Sequence, residues 1–528
     1  MKKLIVFFVF AIAATMVFGS GGAQGGTAPA AGGQLSRAEL VFTLWGDEPE
    51  EWKKVVAEFE KRTSATLNMS IKTLWTPQAD YANKLRLMLS AGEQIDSCFD
   101  AQWMALQDHS SRGIYANLDK YFNNQQYPGL LNFDSELLEN NKLKSDQGRH
   151  IYAIPLVQSY AVVNGYVIRK DLRIKYGMQP IKTLDDFEKF LGLVKQNNPE
   201  MIPLAGNNIG GQMQGLFAQY PDMQNNPDTL FWQVAVGSNV FGVAELAPDK
   251  KSVVNFYVIG DSRQVKGKWF NQDHVAKARE WYVKGYVDKD IASKTPADMQ
   301  NAFVSGRAGA LREGTVNFTV RKDALLRAVP GADIEYWAHQ PKVMNMEPKA
   351  MGTNFQGDNY QCVPANSKNI DRTMAFYNWL FLNQENHDLF EHGIQGVHWN
   401  PQGNDRFELI PGAPAYTFQG FKLTWNKKFV RYATNIDPVV VSYMLYTRDI
   451  KNFYLNPFAG FMANTEPYRN ELAKVVPVFQ EALNTSNIGV LDNPRQSLDT
   501  YHAKMMELGL QKISDEMIKQ LNVFLASK

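Results

Sequence analysis

Residues 67–103 read LNMSIKTLWTPQADYANKLRLMLSAGEQIDSCFDAQW, and this stretch decides the fold class. Its first residues alternate apolar and polar side chains, which is typical of a half-buried strand. Thr76 predicts an N-cap and Pro77 a first helical residue, and apolar side chains then recur at helical spacing until Gly92 ends the helix. A second apolar run at 95–99 predicts another strand, so the stretch is a β-α-β unit.

The sequence on either side extends this unit into an α/β sheet. An apolar strand is predicted at 39–45 and an amphipathic helix at 52–59, which gives the order β-α-β-α-β. Further strands are predicted at 161–169 and 308–312, with a helix that begins after Thr183. This order predicts a doubly wound α/β sheet, a class that binds ligands at the carboxyl ends of its strands.

The length and composition describe a globular protein of two or three domains. The chain has 528 residues, of which 45% are hydrophobic and 21% charged. Its net charge of +1 argues against nucleic acid as a partner, because nucleic-acid binding needs a basic surface. The aromatic content of 12%, with 11 tryptophans, suits a protein that stacks on a ligand.

The N-terminal residues are typical of an export signal. Lys2 and Lys3 precede an apolar run at 4–18, which is shorter than the roughly 20 residues that span a bilayer. An uncleaved membrane anchor is therefore the weaker alternative. Ser20 occupies the position at which a bacterial lipoprotein carries its acylated cysteine. We therefore expect a soluble periplasmic protein without a lipid.

Two cysteines, Cys98 and Cys362, are the whole thiol content of the chain. Export permits a disulfide between them. Cys98 lies in a predicted strand, where a buried thiol behaves as a small hydrophobic side chain, so the unpaired state is favoured.

Four motifs between Phe59 and Ala308 match a known protein family in order and spacing. They are Phe59–Lys61 with Tyr81–Asp96, Gly148 with Ile151–Pro155, Ile168–Leu172 with Thr183–Phe187, and Ala302–Ala308. With these motifs the chain resembles the extracellular solute-binding proteins of ABC importers, the family that includes maltose-binding protein. Tyr416–Phe421 and the closing amphipathic helix are similar to a C-terminal module found on lipoprotein-type members of that family.

The resemblance implies a type II periplasmic-binding-protein-like fold. In this fold a hinge joins two doubly wound α/β lobes, and the ligand binds in the cleft between them. The organisation that it implies is a signal peptide at 1–19, a Gly/Ala-rich leader at 20–36, lobe one at 37–158 and 312–360, lobe two at 159–311 and 361–410, and a C-terminal module at 411–528 packed on lobe two.

Motifs of catalysis are missing from the sequence. It contains no HExxH zinc site, no GxGxxG or P-loop and no GxSxG elbow. The sequence therefore predicts no catalytic residue, no metal and no cofactor. Paired carboxylates such as Asp47–Glu48 and Asp185–Asp186 keep a periplasmic carbohydrate-active enzyme as an alternative, because a glycosidase needs two carboxylates across its sugar.

Tryptophans follow three of the predicted strands. Trp45, Trp75 and Trp103 lie at or just past the carboxyl ends of the strands, where an α/β sheet binds its ligand. A sugar ring has an apolar face that stacks on an aromatic ring and a hydroxyl rim that binds carboxylates and amides. Packing in the core is the alternative role of each ring.

Further candidates complete the predicted ligand-binding site. Asp47 follows the first strand, where its carboxylate suits a sugar hydroxyl, and the role of an N-cap for a helix near Pro49 is an equal alternative. Asp100 follows the strand at 95–99. The candidates in lobe two are Tyr160 beside the hinge, Trp232, for which burial in the core is the alternative, and Trp399 in a loop.

These observations predict a monomeric solute-binding protein that captures a small ligand, an oligosaccharide, and delivers it to the membrane permease of an ABC importer. The expected mechanism is closure of the lobes about a hinge near Val157–Tyr160 and near crossings at Leu311 and Gln361. A binding protein of the same fold for a peptide or another polar solute is the alternative within this class.

Overall fold

The computed structural model describes residues 35–145, 148–206, 227–236, 239–263 and 272–528. The predicted signal peptide and most of the predicted leader lie outside these residues. The described strands are, in chain order, β1 (Ala38–Trp45), β2 (Met69–Thr76), β3 (Ser97–Ala101), β4 (Leu143–Ser145), β5 (Gly148–His150), β6 (Ala153–Leu156), β7 (Asn164–Arg169), β8 (Ile202–Ala205), β9 (Phe231–Val236), β10 (Asn239–Leu246), β11 (Val253–Tyr257), β12 (Ala308–Gly314), β13 (Ile334–Trp337), β14 (Met351–Thr353), β15 (Asn359–Cys362), β16 (Trp399–Gln402), β17 (Arg406–Leu409), β18 (Tyr432–Ala433) and β19 (Phe453–Leu455).

The helices have amphipathic faces and recognisable ends. The capping box predicted at Thr183 is present, with reciprocal hydrogen bonds between Thr183 and Asp186. The prediction at Thr76 was wrong, because Thr76 ends β2 and Pro77 itself takes the N-cap position. The described α-helices are Trp52–Thr63, Gln78–Ser90, Leu106–Ser111, Ser135–Asn140, Lys170–Lys175, Leu184–Asn197, Gln272–Val283, Pro296–Val304, Phe318–Ala328, Pro341–Met344, Ile370–Leu380, Gln384–His392, Pro438–Tyr446, Arg469–Asn487, Pro494–Glu507 and Leu510–Ala526.

Lobe one is built on a five-stranded sheet of order β2-β1-β3-β15-β6. Strands β1, β2 and β3 are parallel, and β15 is antiparallel to both of its neighbours. The predicted β-α-β-α-β unit is therefore present. Buried Phe42 of β1 contacts Phe376 and Tyr377, so the helix Ile370–Leu380, far along the chain, covers the core of this lobe.

Lobe two is built on a four-stranded sheet of order β13-β7-β12-β8. Only β8 and β12 are parallel, whereas β7 is antiparallel to both β12 and β13. The helix Leu184–Asn197 packs on it through its buried face, which contains Phe187 and Phe190 among other apolar residues, as the spacing predicted. The two lobes together form the predicted two-lobe α/β fold.

The chain crosses between the lobes at other points than predicted. Strand β12 completes the lobe-two sheet by pairing with β7 and β8, and β13 pairs with β7, so residues 308–337 remain in lobe two. The chain returns to lobe one only between β13 and β15, at 338–358. The predicted assignment of 312–360 to lobe one is therefore wrong for its larger part. Leu311 and Gln361 lie inside strands rather than in hinge segments.

Residues 361–410 were predicted in lobe two, but they belong to lobe one. Strand β15 pairs with β3 and β6 of that lobe, and Phe376 and Phe390 are buried in its core. The reason is topological, because a strand inserted between β3 and β6 carries the residues after it onto the same lobe.

The predicted C-terminal module at 411–528 divides into parts with different neighbours. Phe418, Leu423 and Phe429 are buried in the core of lobe one, whereas Val440 is buried in the core of lobe two. The helices from 469 to 526 form a third core with β9, β10 and β11. Only the parts after 437 therefore agree with packing on lobe two, and 418–429 form part of lobe one.

The two thiols face each other across neighbouring strands without a bond. Cys98 of β3 and Cys362 of β15 are register partners, and both are free and buried, as the sequence favoured. Burial raises the pKa of both thiols. Within the described residues, no helix is long and apolar enough to cross a membrane.

Candidate functional site

The topology brings the strand ends of both lobes to one cleft. The carboxyl ends of β1, β2, β3 and β6 lie at the same edge of the lobe-one sheet. Residues 157–163 connect this edge to the start of β7, where Asn164 is the register partner of Gly314 at the end of β12. The cleft is therefore bounded by these two edges, the place where open α/β sheets bind ligands.

Trp45 lies at the lobe-one edge of this cleft, as the last residue of β1. Its ring is half-buried, with its centroid 5.1 Å from that of Phe421 and 6.1 Å from that of Phe99. Trp103, two residues past β3, lies on the other side of Phe99 at 6.2 Å and is 58% exposed. These rings form an aromatic surface of which Trp103 is the open end.

Trp75 lies near Trp45 in the pairing of β1 with β2, but its side chain is on the other face of the sheet. Trp45 is paired with Thr76, so Trp75, one residue earlier, points the opposite way. Its ring meets that of Trp52 edge to face at 5.5 Å. The three predicted tryptophans therefore share an edge of the sheet, but not one face of it.

The turn after β1 brings Asp47 to the cleft edge. Gly46 has φ of +95° and its N–H donates to the Thr76 carbonyl at 2.7 Å, which ties the turn to the end of β2. Asp47 is exposed, and Glu51 rather than Asp47 precedes the helix Trp52–Thr63. Of the two roles predicted for Asp47, the N-cap was wrong.

A segment that the sequence interpretation did not place at the site completes it. The short 3-10 helix Gly420–Lys422 lies across the ends of β1 and β2, so that the Lys422 Nζ is 4.9 Å from the ring centroid of Trp45 and 5.7 Å from that of Trp75. Trp425 follows, with its ring 5.8 Å from Phe421. The aromatic density of YTFQGFKLTWNKKF at 416–429 was the available signal.

The ammonium of Lys422 is held in an aromatic environment. Burial lowers the pKa of Lys422, and the charge of Asp47 opposes that shift. Within the described residues, no ion pair or hydrogen bond engages Nζ, and its neighbours are the faces of Trp45, Trp75 and Phe421.

Asp100, also predicted at the site, lies inside the core of lobe one. Its side chain is completely buried, and its carboxylate accepts a hydrogen bond from the Tyr115 hydroxyl at 2.6 Å. His109 Nδ1 lies 2.9 Å from the same oxygen, and the Ala101 N–H donates to the other oxygen at 2.8 Å. This carboxylate is engaged by internal partners, so we leave it out of the proposed site.

Tyr160 lies at the hinge, and its hydroxyl is already engaged there. The hydroxyl donates to the Asp134 carboxylate, and Lys427 lies over the ring at 5.0 Å while pairing with Asp134 at 2.8 Å. Burial, followed by the hydrogen bond to Asp134, raises the pKa of Tyr160. Phe355 packs on the ring edge to face at 4.9 Å. The residue is therefore a hinge contact between the segments that link the lobes.

Trp232 and Trp399 lie in cores rather than at the cleft. Trp232 is on β9 in the third core, and its indole N–H donates to the Thr229 carbonyl at 3.0 Å. Trp399 begins β16, is 2% exposed, and donates to the Gly393 carbonyl at 3.0 Å. Both indoles have their hydrogen bonds satisfied inside the protein, so packing explains them fully.

A concavity with a volume of about 630 Å³ lies beside the hinge contact of Tyr160 with Asp134 and Lys427. Its charges are largely paired with each other, as in the ion pair of Lys427 with Asp134. It therefore offers fewer free groups to a ligand than the cleft edge does. The lining residues are Leu131, Asn132, Asp134, Asp405, Lys427, Lys428, Leu445, Arg448, Asp449 and Ile450.

The cleft edge is suited to binding a molecule with both apolar and polar faces. Half-buried and exposed aromatic rings offer stacking surfaces, while Asp47 and Lys422 offer one charge of each sign. Within the part of the chain that the structure describes, no cluster of three or more His, Cys, Asp or Glu side chains has the arrangement of a metal site.

Two family models match the chain. The model of bacterial extracellular solute-binding proteins matches residues 54–398, which include most of both lobes and the crossings at 157–163 and 338–358. A domain of unknown function, DUF3502, matches residues 457–526, the helices of the third core.

Known proteins of similar sequence and structure agree with this match. A carbohydrate ABC transporter substrate-binding protein of Streptococcus pneumoniae serotype 4 is 22% identical over 92% of this chain and 90% of its own length. The N-glycan transport solute binding protein NgtS from Streptococcus pneumoniae has a TM-score of 0.68 at 18% identity, over 92% of this chain and 99% of that one. An HMO binding, ABC-transporter associated solute binding protein from Bifidobacterium longum infantis has a TM-score of 0.61 at 14% identity, over 93% and 98%.

Proposed function

Since this chain belongs to the family of bacterial extracellular solute-binding proteins, we propose that it captures an oligosaccharide between its lobes and delivers it to the permease of an ABC importer. The observation that carries the proposal is the aromatic edge of lobe one, where Trp45, Trp75 and Trp103 surround the ends of three strands. The names of the relatives, which are carbohydrate, N-glycan and HMO binding proteins, support the same class of ligand.

The proposed contacts follow the chemistry of a sugar ring. The rings of Trp45, Trp75 and Trp103 bury apolar C–H faces, and the carboxylate of Asp47 accepts hydrogen bonds from hydroxyl groups. Tyr160 acts at the hinge rather than on the ligand. The protein binds its ligand without converting it, as a monomer outside the cytoplasm and without a lipid, and the permease recognises the closed, ligand-loaded form.

Calorimetry with the purified mature chain tests the ligand class. The titrants are oligosaccharides of two to six residues, matched short peptides, and free monosaccharides. We expect saturable binding of at least one oligosaccharide and an unchanged oligosaccharide after prolonged incubation, read by mass spectrometry. Binding of peptides alone would contradict a sugar ligand, and cleavage of the oligosaccharide would identify the protein as an enzyme.

Ligand binding is expected to close the two lobes. The lobes are linked by 157–163, by 338–358 and by the chain between Phe429 and Val440. Tyr160 of the first link packs against Phe355 of the second, so bending there moves one lobe against the other. Small-angle scattering of the protein saturated with its oligosaccharide should give a smaller radius of gyration than the free protein. The Trp45→Ala variant, at a ligand concentration that it does not bind, is the matched control. An unchanged radius at saturation contradicts closure.

A further inference from the structure

Lys422 is a buried cation without an anionic partner. The residue is 5% exposed, and its Nζ lies 4.9 Å from the ring centroid of Trp45 and 5.7 Å from that of Trp75. Among the described residues, none makes an ion pair or a hydrogen bond with this Nζ, and Asp47 acts on it only through its longer-range field. The surrounding rings shield this ammonium from much of the solvent and supply no acceptor, so an acceptor from outside the chain has a strong reason to bind here.

The fold holds this ammonium in place from both ends of the residue. The Lys422 carbonyl accepts a hydrogen bond from the Gln361 side chain at 2.5 Å, and Gln361 is completely buried in β15. At the other end, Nζ lies against Gly46, where a Cβ would be only 2.8 Å from it. Lys422 is therefore positioned at the end of β1 by the lobe-one core, unlike a lysine free at the surface.

The polar atoms beside Lys422 also have no partner. The indole nitrogens of Trp45 and Trp75 and the hydroxyl of Thr76 are buried without a hydrogen bond within the described part of the chain. Indole N–H groups can only donate, and an ammonium can only donate. The Thr76 hydroxyl can donate or accept, so donors outnumber acceptors among these groups, which favours a ligand group rich in acceptors. A carboxylate, with two charged oxygens, is the strongest acceptor that a sugar carries.

We propose that Lys422 binds a carboxylate of the ligand, which makes the ligand an acidic oligosaccharide that contains a uronic or sialic acid. This inference rests on the proposed function, because it places the acidic sugar unit of the ligand at the edge of the lobe-one sheet where Trp45, Trp75 and Trp103 lie. The apolar face of that sugar stacks on an indole face that Lys422 leaves open, while its carboxylate pairs with the ammonium. Asp47, at the exposed side of the same turn, remains available to hydroxyl groups.

The test uses ligand pairs that differ only in charge. Hexuronate oligosaccharides of two to six residues and sialylated lactose are titrated beside their methyl esters, with neutral oligosaccharides of the same length. The proteins are the full mature chain and its Lys422→Met and Lys422→Arg variants. Lys422→Met keeps the apolar stem over the rings without the charge, and Lys422→Arg keeps the charge. Melting curves of each variant establish that the fold is intact.

We expect the native protein to bind an acid at least about tenfold more tightly than its methyl ester, the usual value of a charged hydrogen bond. Lys422→Met should bring that ratio close to one, and Lys422→Arg should keep most of it. Comparing the titrations with hexuronate oligosaccharides and with sialylated lactose identifies which acidic sugar the protein binds. Equal binding of acid and ester, or equal losses for both in Lys422→Met, overturns the inference while neutral sugars still support the function. If no saccharide binds at all, both proposals are wrong.

Discussion

Alanine in place of at least one of Trp45, Trp75 and Trp103 will weaken oligosaccharide binding by about 1–3 kcal/mol, about tenfold to a hundredfold in Kd. The reason is the loss of stacked apolar area from a ring that the chain leaves partly exposed. Trp45 and Trp75 are half-buried and Trp103 is more than half exposed. A ring at the cleft edge supports little of the core, so the melting temperature of that variant should change little.

Trp399 provides the matched control within the same chain. Its ring is buried, packs against His392 at 5.2 Å, and satisfies its N–H internally. Trp399→Ala should therefore lose about 3–5 kcal/mol of stability through the cavity that it leaves. The fraction that remains folded should keep its affinity for the ligand.

Calorimetry and denaturant unfolding of the four variants separate the two roles. The stacking hypothesis requires that at least one cleft variant loses affinity with its stability preserved. If Trp45→Ala, Trp75→Ala and Trp103→Ala all lose stability and none loses affinity in the folded fraction, these rings belong to the core. The stacking surface would then have to be sought in lobe two.

Local patterns predicted the elements of this fold better than its connections. The β-α-β-α-β unit follows from apolar alternation and helical spacing inside one short stretch, so the order of elements over residues 39–99 was predicted correctly, although the helix start at Thr76 was not. The lobe boundaries depend on whether β12 and β15 cross the hinge, and that is decided by pairing with strands far away in sequence. Spacing carries no information on such partners, so 312–360 and 361–410 were assigned to the wrong lobes.

At the candidate site, too, local sequence predicted some features, and contacts between distant parts of the chain decided the others. Trp45 could be placed at the cleft edge because it ends a predicted strand. The loop position predicted for Trp399 was wrong, because β16 pairs with β17 and encloses the ring. Lys422 was missed because its side chain reaches β1 from a segment of lobe one nearly four hundred residues along the chain, as its contact with Trp45 shows. The fate of Asp100 depends on His109 and Tyr115, which only the folded chain brings together.

Acid is expected to destabilise the protein well above the pH at which its carboxylates titrate. Burial lowers the pKa of His339 and of His392 to about 3 in the folded protein. His392 Nε2 is buried without a hydrogen-bond partner in the described chain, and His339 is 3% exposed against Tyr166. Both rings are therefore neutral in the fold down to low pH.

The sign of the effect follows from the proton balance. An unfolded histidine titrates near pH 6.5, so between about pH 6.5 and 3 the unfolded chain binds a proton that the folded chain does not. Stability therefore falls as the pH is lowered through this window, by about 1.4 kcal/mol per pH unit for each histidine. At pH 4.5 the two histidines together lower the free energy of unfolding by about 5 kcal/mol. Burial also lowers the pKa of His502, which acts in the same direction.

Carboxylates with a lowered pKa change the stability of the fold in a different pH range. Burial alone would raise the pKa of Asp388, but its hydrogen bonds with His387 and Arg431 lower it overall. Its contribution is present above the ordinary pKa of an aspartate and is lost only as the pH falls through the folded value, below about pH 4. Burial raises the pKa of Glu391, so this carboxyl binds a proton in the folded chain first and opposes the histidines between pH 7.5 and 4.5. Its contribution is common to the native chain and the histidine variants, so the difference between them reports on the histidines.

Urea unfolding of the native chain, His339→Gln, His392→Gln and the double variant at pH 7.5, 6.5, 5.5 and 4.5 measures the effect. Each substitution should flatten the pH dependence by about 1.4 kcal/mol per unit, whatever it costs at pH 7.5. The two histidines lie in different lobes, beside β13 and at the end of the helix Gln384–His392, so their contributions should add. A slope that neither substitution changes would mean that both rings are protonated in the folded protein, and the acid sensitivity would then belong to other groups.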